Sequence, residues 1–218
     1  IFTKDIDLFW AAFDQVVRTE DTTEQAQLLK QQYLDKGSPG LRAIMQARGY
    51  TAEEYVRAIN QYPRFWSSIR ENTLRAGELA GDLEAGVKKL RAVYPELKSA
   101  PVYFTIGAMR SNGTTVDSLV LIGSELALAD ENAVTTEFPE SMQGLRTFFD
   151  ANPIEDVVLL NVHEYVHTQQ RPMVHNLLSQ SLYEGVAEFV SVTAMGVPSV
   201  APAIAYGQQN DAVRAKFE

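Results

Sequence analysis

Over the first 98 residues, hydrophobic positions fall in short segments with helical character, each closed by turn residues. Leu8, Phe9, Trp10 and Phe13 open an aromatic-rich amphipathic helix expected from about Asp7 to Val17. A second helix runs from Thr22 to Tyr33 and is stopped by Gly37, Pro39 and Gly40. Thr51-Ala52-Glu53-Glu54 is a capping box, in which Thr51 can accept from the N–H three residues on and Glu54 can reach back. Tyr62-Pro63 interrupts, and a long helical segment then runs from about Pro63 to Val93 with a break expected at Gly81. Trp10, Phe13, Phe65 and Trp66 read as core packing.

At Pro101 the pattern changes. Val102–Ile106 is short, β-branched and aromatic, Ser111-Asn112-Gly113-Thr114 is a turn signal, and Ser118–Gly123 is a second strand. Helical signals then return. Asn152-Pro153-Ile154-Glu155 is a helix start, with Asn at the cap and Pro in the first turn. The helix that follows is apolar nearly all round (Ile154, Val157, Val158, Leu159, Leu160, Val162, Val166) and is expected to be buried. Another covers Leu177 to Met195, ended by Gly196 and Pro198. The expectation is a mostly helical α+β chain. An N-terminal helical lobe over 1–98 joins a lobe over 99–218 with a small β-sheet, together one compact unit.

Composition narrows the function. Of 218 residues none is Cys, which removes disulfide scaffolds, zinc fingers, iron–sulfur sites and thiol nucleophiles. Residues 1–98 hold 14 Lys+Arg and 14 Asp+Glu, whereas 99–218 hold 5 and 14, so the whole net charge of −9 lies in the second part. Such a surface repels phosphate backbones and anionic membranes, so nucleic acid is not an expected partner. No apolar run approaches the roughly 20 residues of a membrane span. Ile1-Phe2-Thr3-Lys4 is not a signal peptide and reads as a processed start, and Asn210–Glu218 reads as a helix cut short.

The chemistry sits in the buried helix, at His163-Glu164-Tyr165-Val166-His167. Residues four apart share a helix face, so the two imidazoles can converge on one zinc ion, while Glu164 lies about 100° round the helix from His163 and can act on a water there as general base. Three ionisable groups on one apolar helix are costly to bury without a shared partner. A third ligand is needed. A metzincin would need Gly at 170 and His at 173, and the chain has Gln170 and Met173. Two candidates remain: Glu184 on the next helix, preferred, and His175 in the connection, which could also contact substrate or an oxyanion. Gly185 and Ala187 would let the two helices approach closely. Glu188, one turn beyond Glu184, could hold a ligand imidazole in its tautomer. Tyr103, Tyr183 and Tyr206 are further candidate oxyanion or substrate contacts.

His163-Glu164-x-x-His167 with Glu184-Gly185-x-Ala187-Glu188 downstream resembles the gluzincins. Within them it is most similar to the small zinc-dependent protease families of the peptidase-MA-like clan, which include exported proteins similar to gliding-motility-associated lipoproteins. The resemblance implies a zincin-like core and one zinc held by His163, His167 and Glu184. It implies a metalloprotease that hydrolyses peptide or protein substrates through Glu164, and an exported, periplasmic or lipid-anchored, location. It also implies that the strand near Leu119–Ile122 offers an edge to an extended peptide. The alternative is a zincin-fold metal-binding protein with an assembly or binding role and little catalysis.

Overall fold

The computed structural model describes residues 1–151, 153, 156–199, 206 and 208–210. Helices dominate. They are α1 (Lys4–Val16), α2 (Thr22–Leu29), α3 (Pro39–Arg48), α4 (Ala52–Gln61), α5 (Pro63–Leu74) and α6 (Ala80–Val93), then α7 (Ser124–Ala127), α8 (Gln143–Asp150), α9 (Asp156–His167) and α10 (Leu177–Met195). One small sheet interrupts them, formed by β1 (Val102–Thr105), β2 (Gly113–Val116) and β3 (Leu119–Gly123).

Side-chain caps set several boundaries. Asp21 Oδ1 accepts from the N–H groups of Thr23 and Glu24, both at 2.8 Å, and starts α2. Thr51 Oγ1 accepts from Glu54 N–H at 3.3 Å as the capping box requires, but the Glu54 carboxylate lies 3.2 Å from Arg110 Nε. The long 63–93 segment breaks earlier than expected. A 3₁₀ stretch over Arg75–Leu79, containing Gly77, separates α5 from α6, and Gly81 lies inside α6. The expected cap at Asn152 and Glu155, and the chain after Asn210, fall outside the described residues.

The core runs without a break from α1 through the sheet to α9 and α10. Its densest part is aromatic. Phe9, Trp10 and Trp66 meet in tilted and edge contacts, and the indole of Trp10 donates to Thr73 Oγ1 at 2.9 Å. Tyr33 and Tyr55 both donate to the Ile106 carbonyl, at 2.6 and 2.8 Å, so the first lobe grips the chain just after β1.

The sheet order is β1-β3-β2, with β1 parallel and β2 antiparallel to β3. β3 is therefore the central strand, paired on both sides, and cannot offer the free edge expected of it. That edge belongs to β2, whose first residues had read as a turn. Asp117, at φ 52°, turns β2 into β3.

Glu125 latches the β1–β2 connection. Fully buried, it accepts from Gly107 N–H at 2.8 Å and Met109 N–H at 3.1 Å. Burial pushes its carboxyl up to about 7 from an ordinary 4.5, and the two N–H bonds only partly offset this. With the folded value above the unfolded one, its contribution to stability is full below about 4.5 and is lost as pH rises through about 7. Glu125→Gln keeps an acceptor without the charge. Between about pH 5 and about pH 8 the parent should lose more stability than this variant, by on the order of 1–3 kcal/mol, read from urea midpoints. Equal losses would show that Glu125 does not titrate in the core.

Candidate metal centre

Helix α9 is held on all sides. Val157, Val162 and Val166 are buried, and α9 packs against β2, β3, α6 and α10. Tyr165 Oη accepts from Ala100 N–H at 2.7 Å. The Gln169 amide accepts from Lys98 N–H at 2.9 Å and donates to the Lys98 carbonyl at 3.2 Å. The close-approach glycine is not Gly185, which is exposed and faces open space, but Gly86 in α6. A Cβ there would come within 3.0 Å of Val162 and 3.3 Å of Val158. Ala187 is fully buried between α10 and the core, as its size suggested.

His163 and His167, one turn apart, bring their Nε2 atoms to 3.1 Å. From α10, Glu184 Oε2 comes to 3.4 Å from His163 Nε2 and 3.3 Å from His167 Nε2. A tetrahedral zinc with ligands at about 2.0–2.2 Å spaces its donors roughly 3.3–3.6 Å apart, so the triangle is close to one face of such a site. These three residues form a group able to hold a metal ion.

The other ring nitrogens bear on what the triangle can hold. His167 Nδ1 lies 2.6 Å from Gln170 Oε1, and the Gln170 amide nitrogen donates to the Tyr183 carbonyl at 2.9 Å. The amide is thereby oriented, and Nδ1 of His167 must carry the proton. His163 Nδ1 faces Glu188 Oε2 at 3.5 Å, and the other Glu188 oxygen accepts from Ser199 Oγ. With both Nδ1 atoms protonated, both neutral rings turn lone pairs toward each other and toward a carboxylate oxygen. A cation at the centre resolves that conflict, so the residues fit a metal.

Glu164 lies outside the donor group and is buried. Its carboxylate rests on Gly113, where a Cβ would come within 2.9 Å of Oε1. Burial raises its carboxyl to about 7, the Glu184 charge adds to this, and Arg48 opposes it. Burial, and then the neighbouring His167, hold His163 below the ordinary imidazole value against Glu184 and Glu188. Arg48, Gly113, Thr114, Thr115, Glu164, His167, Tyr183 and Glu184 line a cavity of about 260 Å³.

Of the tyrosines, only Tyr183 reaches this cavity. Its ring stacks on His167 at 4.3 Å and 7°, and burial raises its pKa, so it stays an O–H donor. Tyr103 lies on β1, the far strand of the sheet, stacked on Phe2 and against Gly40. His175 is exposed in the α9–α10 connection, outside the donor group, and Tyr206 is exposed. Neither lines the cavity. Gln170 and Arg48 were not anticipated as site residues. For Gln170 the available signal was its place three residues after His167. Arg48 carried none.

Comparison of the chain with protein-family models, with curated proteins and with solved structures returns no match. Among the described residues no helix is long and apolar enough to cross a membrane.

Two outcomes are expected. The protein should bind one divalent ion per chain by elemental analysis, and His163→Ala or His167→Ala should abolish binding with an unchanged helical circular dichroism spectrum, because the core does not pass through the ion. Gln170→Ala should weaken the metal affinity by about 10–100-fold, since His167 loses the partner that sets its tautomer. An unaltered affinity would mean that Gln170 does not orient the ring.

Proposed function

We propose that the chain is a zinc-dependent peptidase of the gluzincin kind, with His163, His167 and Glu184 as ligands and Glu164 as general base. The observation that carries the reading is the donor triangle with Glu164 beside it, buried and outside it. A purely structural ion has no use for a fourth side chain, an uncommitted carboxylate, at that position.

When bound, the ion supplies Lewis acidity, drawing the pKa of a coordinated water toward about 7 and polarising a carbonyl. The protein supplies the rest. Glu164 takes one proton from the attacking water and returns it to the leaving nitrogen, so hydroxyl is added to the acyl carbon and hydrogen to the amine as the C–N bond breaks. The Tyr183 hydroxyl is the donor available to the carbonyl oxygen as charge develops. Gly113 leaves room for Glu164 against β2.

The outer strand extends the argument to substrate. Gly123 N–H donates to the Asn112 carbonyl at 3.0 Å, so in this antiparallel pair Thr114 and Val116 also bond to β3. The backbone groups of Thr115 and the N–H of Gly113 then turn to the open side, where an extended peptide can pair, while the Gly113 carbonyl accepts from Ser111 Oγ. An antiparallel outer strand beside the metal helix supports a zincin-like core. The resemblance to the peptidase-MA-like clan supports an exported chain, periplasmic or lipid-anchored, acting on peptides or proteins.

Glu164→Gln tests the reading, because it keeps shape and removes the base. Metal should remain bound while hydrolysis of a mixed peptide library falls by about 10²–10⁴-fold. Glu184→Gln should instead release metal. Parent-like activity in Glu164→Gln would refute the mechanism.

A further inference from the structure

We propose that Arg48 binds a carboxylate of the substrate on the leaving-group side of the scissile bond, which makes the substrate class peptides carrying an anionic group one or two residues beyond it. The inference rests on the peptidase reading for the position of the bond, but the carboxylate site itself stands on its own residues.

Arg48 is the last residue of α3, and Gly49, at φ 64°, closes the helix behind it. The sheet against which α3 packs carries this cation from the first lobe to the cleft of the acidic second one. Its guanidinium donates to Ser111 Oγ at 3.3 Å, and Ser111 in turn donates to the Gly113 carbonyl at 2.7 Å. Among the described residues no carboxylate lies within 4.0 Å of it, so its charge is not spent on an ion pair. Arg110, by contrast, is taken up by Glu54, the Tyr50 ring and the Arg48 carbonyl.

Position gives the direction. Along β2 and the two residues before it, the cleft brings Tyr183 into the cavity lined by Thr115, Glu164 to Gly113 and Arg48 to Ser111. Glu164 marks the leaving nitrogen, because that atom receives its proton. Ser111 lies two residues before Gly113, at most roughly 7 Å away, and an arginine fork covers part of that distance. A carboxylate on the leaving residue, or on the one after it, falls within reach. Arg48 and Gly113 also line the adjoining cavity of about 420 Å³, with Leu126, Leu145 and Phe148 as apolar walls. That cavity offers space for the side chain of the same residue. A fork of N–H donors suits a planar carboxylate better than a point charge would.

The carboxylate can come from the chain end or from an Asp or Glu side chain, and the test separates the two. Neutral pentapeptides are prepared with a free C-terminus, with an amidated C-terminus, and with an amidated C-terminus plus one Asp. Binding is measured by equilibrium dialysis to the metal-loaded Glu164→Gln protein, which holds peptides without cleaving them. A carboxylate form should be retained about 10–100-fold more tightly than the neutral amide, the range for a charge-assisted bond. Adding Arg48→Gln should erase the preference, and Arg48→Lys should keep part of it. Retention of the first form alone identifies the chain end as the source, and retention of the third identifies the side chain. Equal retention of charged and neutral forms, no retention of any form, or a preference that survives Arg48→Gln overturns the proposal. Hydrolysis by the unsubstituted protein is scored separately. Arg48-dependent binding without hydrolysis would defeat the peptidase reading and leave the carboxylate site standing. Hydrolysis with no Arg48 dependence would do the reverse.

Discussion

Two imidazole nitrogens 3.1 Å apart, with a carboxylate oxygen 3.3–3.4 Å from each, make a local arrangement that is unfavourable without a positive centre. Protons could relieve it, but the burial of His163 and its neighbour His167 both disfavour the charged ring. The rest of the second lobe can be understood as what keeps this arrangement from relaxing. Tyr165 and Gln169 tie α9 to the segment before β1, Gly86 lets α6 close on Val158 and Val162, and Gln170 and Glu188 hold the two rings from behind. Each contact acts on the orientation of a ring or the position of the helix that carries it. Donors held this way lose little freedom when an ion enters, which is the condition for tight binding.

What could be read from the sequence follows the range of each interaction. His163, Glu164 and His167 share one helix, and helical geometry alone puts two of them on a common face. Glu184 and Glu188 are likewise four apart, so their division of labour, one toward both Nε2 atoms and one toward His163 Nδ1, was open to the same reasoning. The metal group and the mostly helical fold with a small sheet were legible for that reason. Strand order was not. Ser111-Asn112-Gly113-Thr114 reads as a turn, yet its last two residues join the β-branched Thr115 and Val116 in a strand because β3 pairs with them, and β3 is central because β1 joins its other side. Helix packing was equally opaque. Gly185 and Gly86 look alike in sequence, and only the meeting of α6 with α9 decides which of them must lack a side chain.

The first lobe supplies more than support. Its tyrosines hold the chain after β1, its Glu54 holds Arg110, and its α3 ends at the cleft with Arg48. These contacts join residues 51 to 73 positions apart in sequence, a separation over which local pattern carries no information. The same contacts shape the β1–β2 connection, which leads directly into the strand that seats Glu164. Glu164 is therefore held between Gly113, whose segment the N-terminal helices brace, and α9, which carries it.

The division of charge gains a meaning from this arrangement. Residues 99–218 carry the whole acidic surplus, and of these Glu164 and Glu184 line the cleft while Glu188 stands behind His163. An anionic group approaching that surface is repelled until it meets a positive charge. One such charge is the ion that the donor triangle calls for. The other is Arg48, delivered by α3 from the electrically balanced residues 1–98 and, among the described residues, with no carboxylate within 4.0 Å. On the proposed function, a peptide aligned by both presents its carbonyl to one and its carboxylate to the other. The acidic surroundings would reject anions that cannot reach either, so selectivity would come from where the two positive charges stand more than from the sum of charge across the surface.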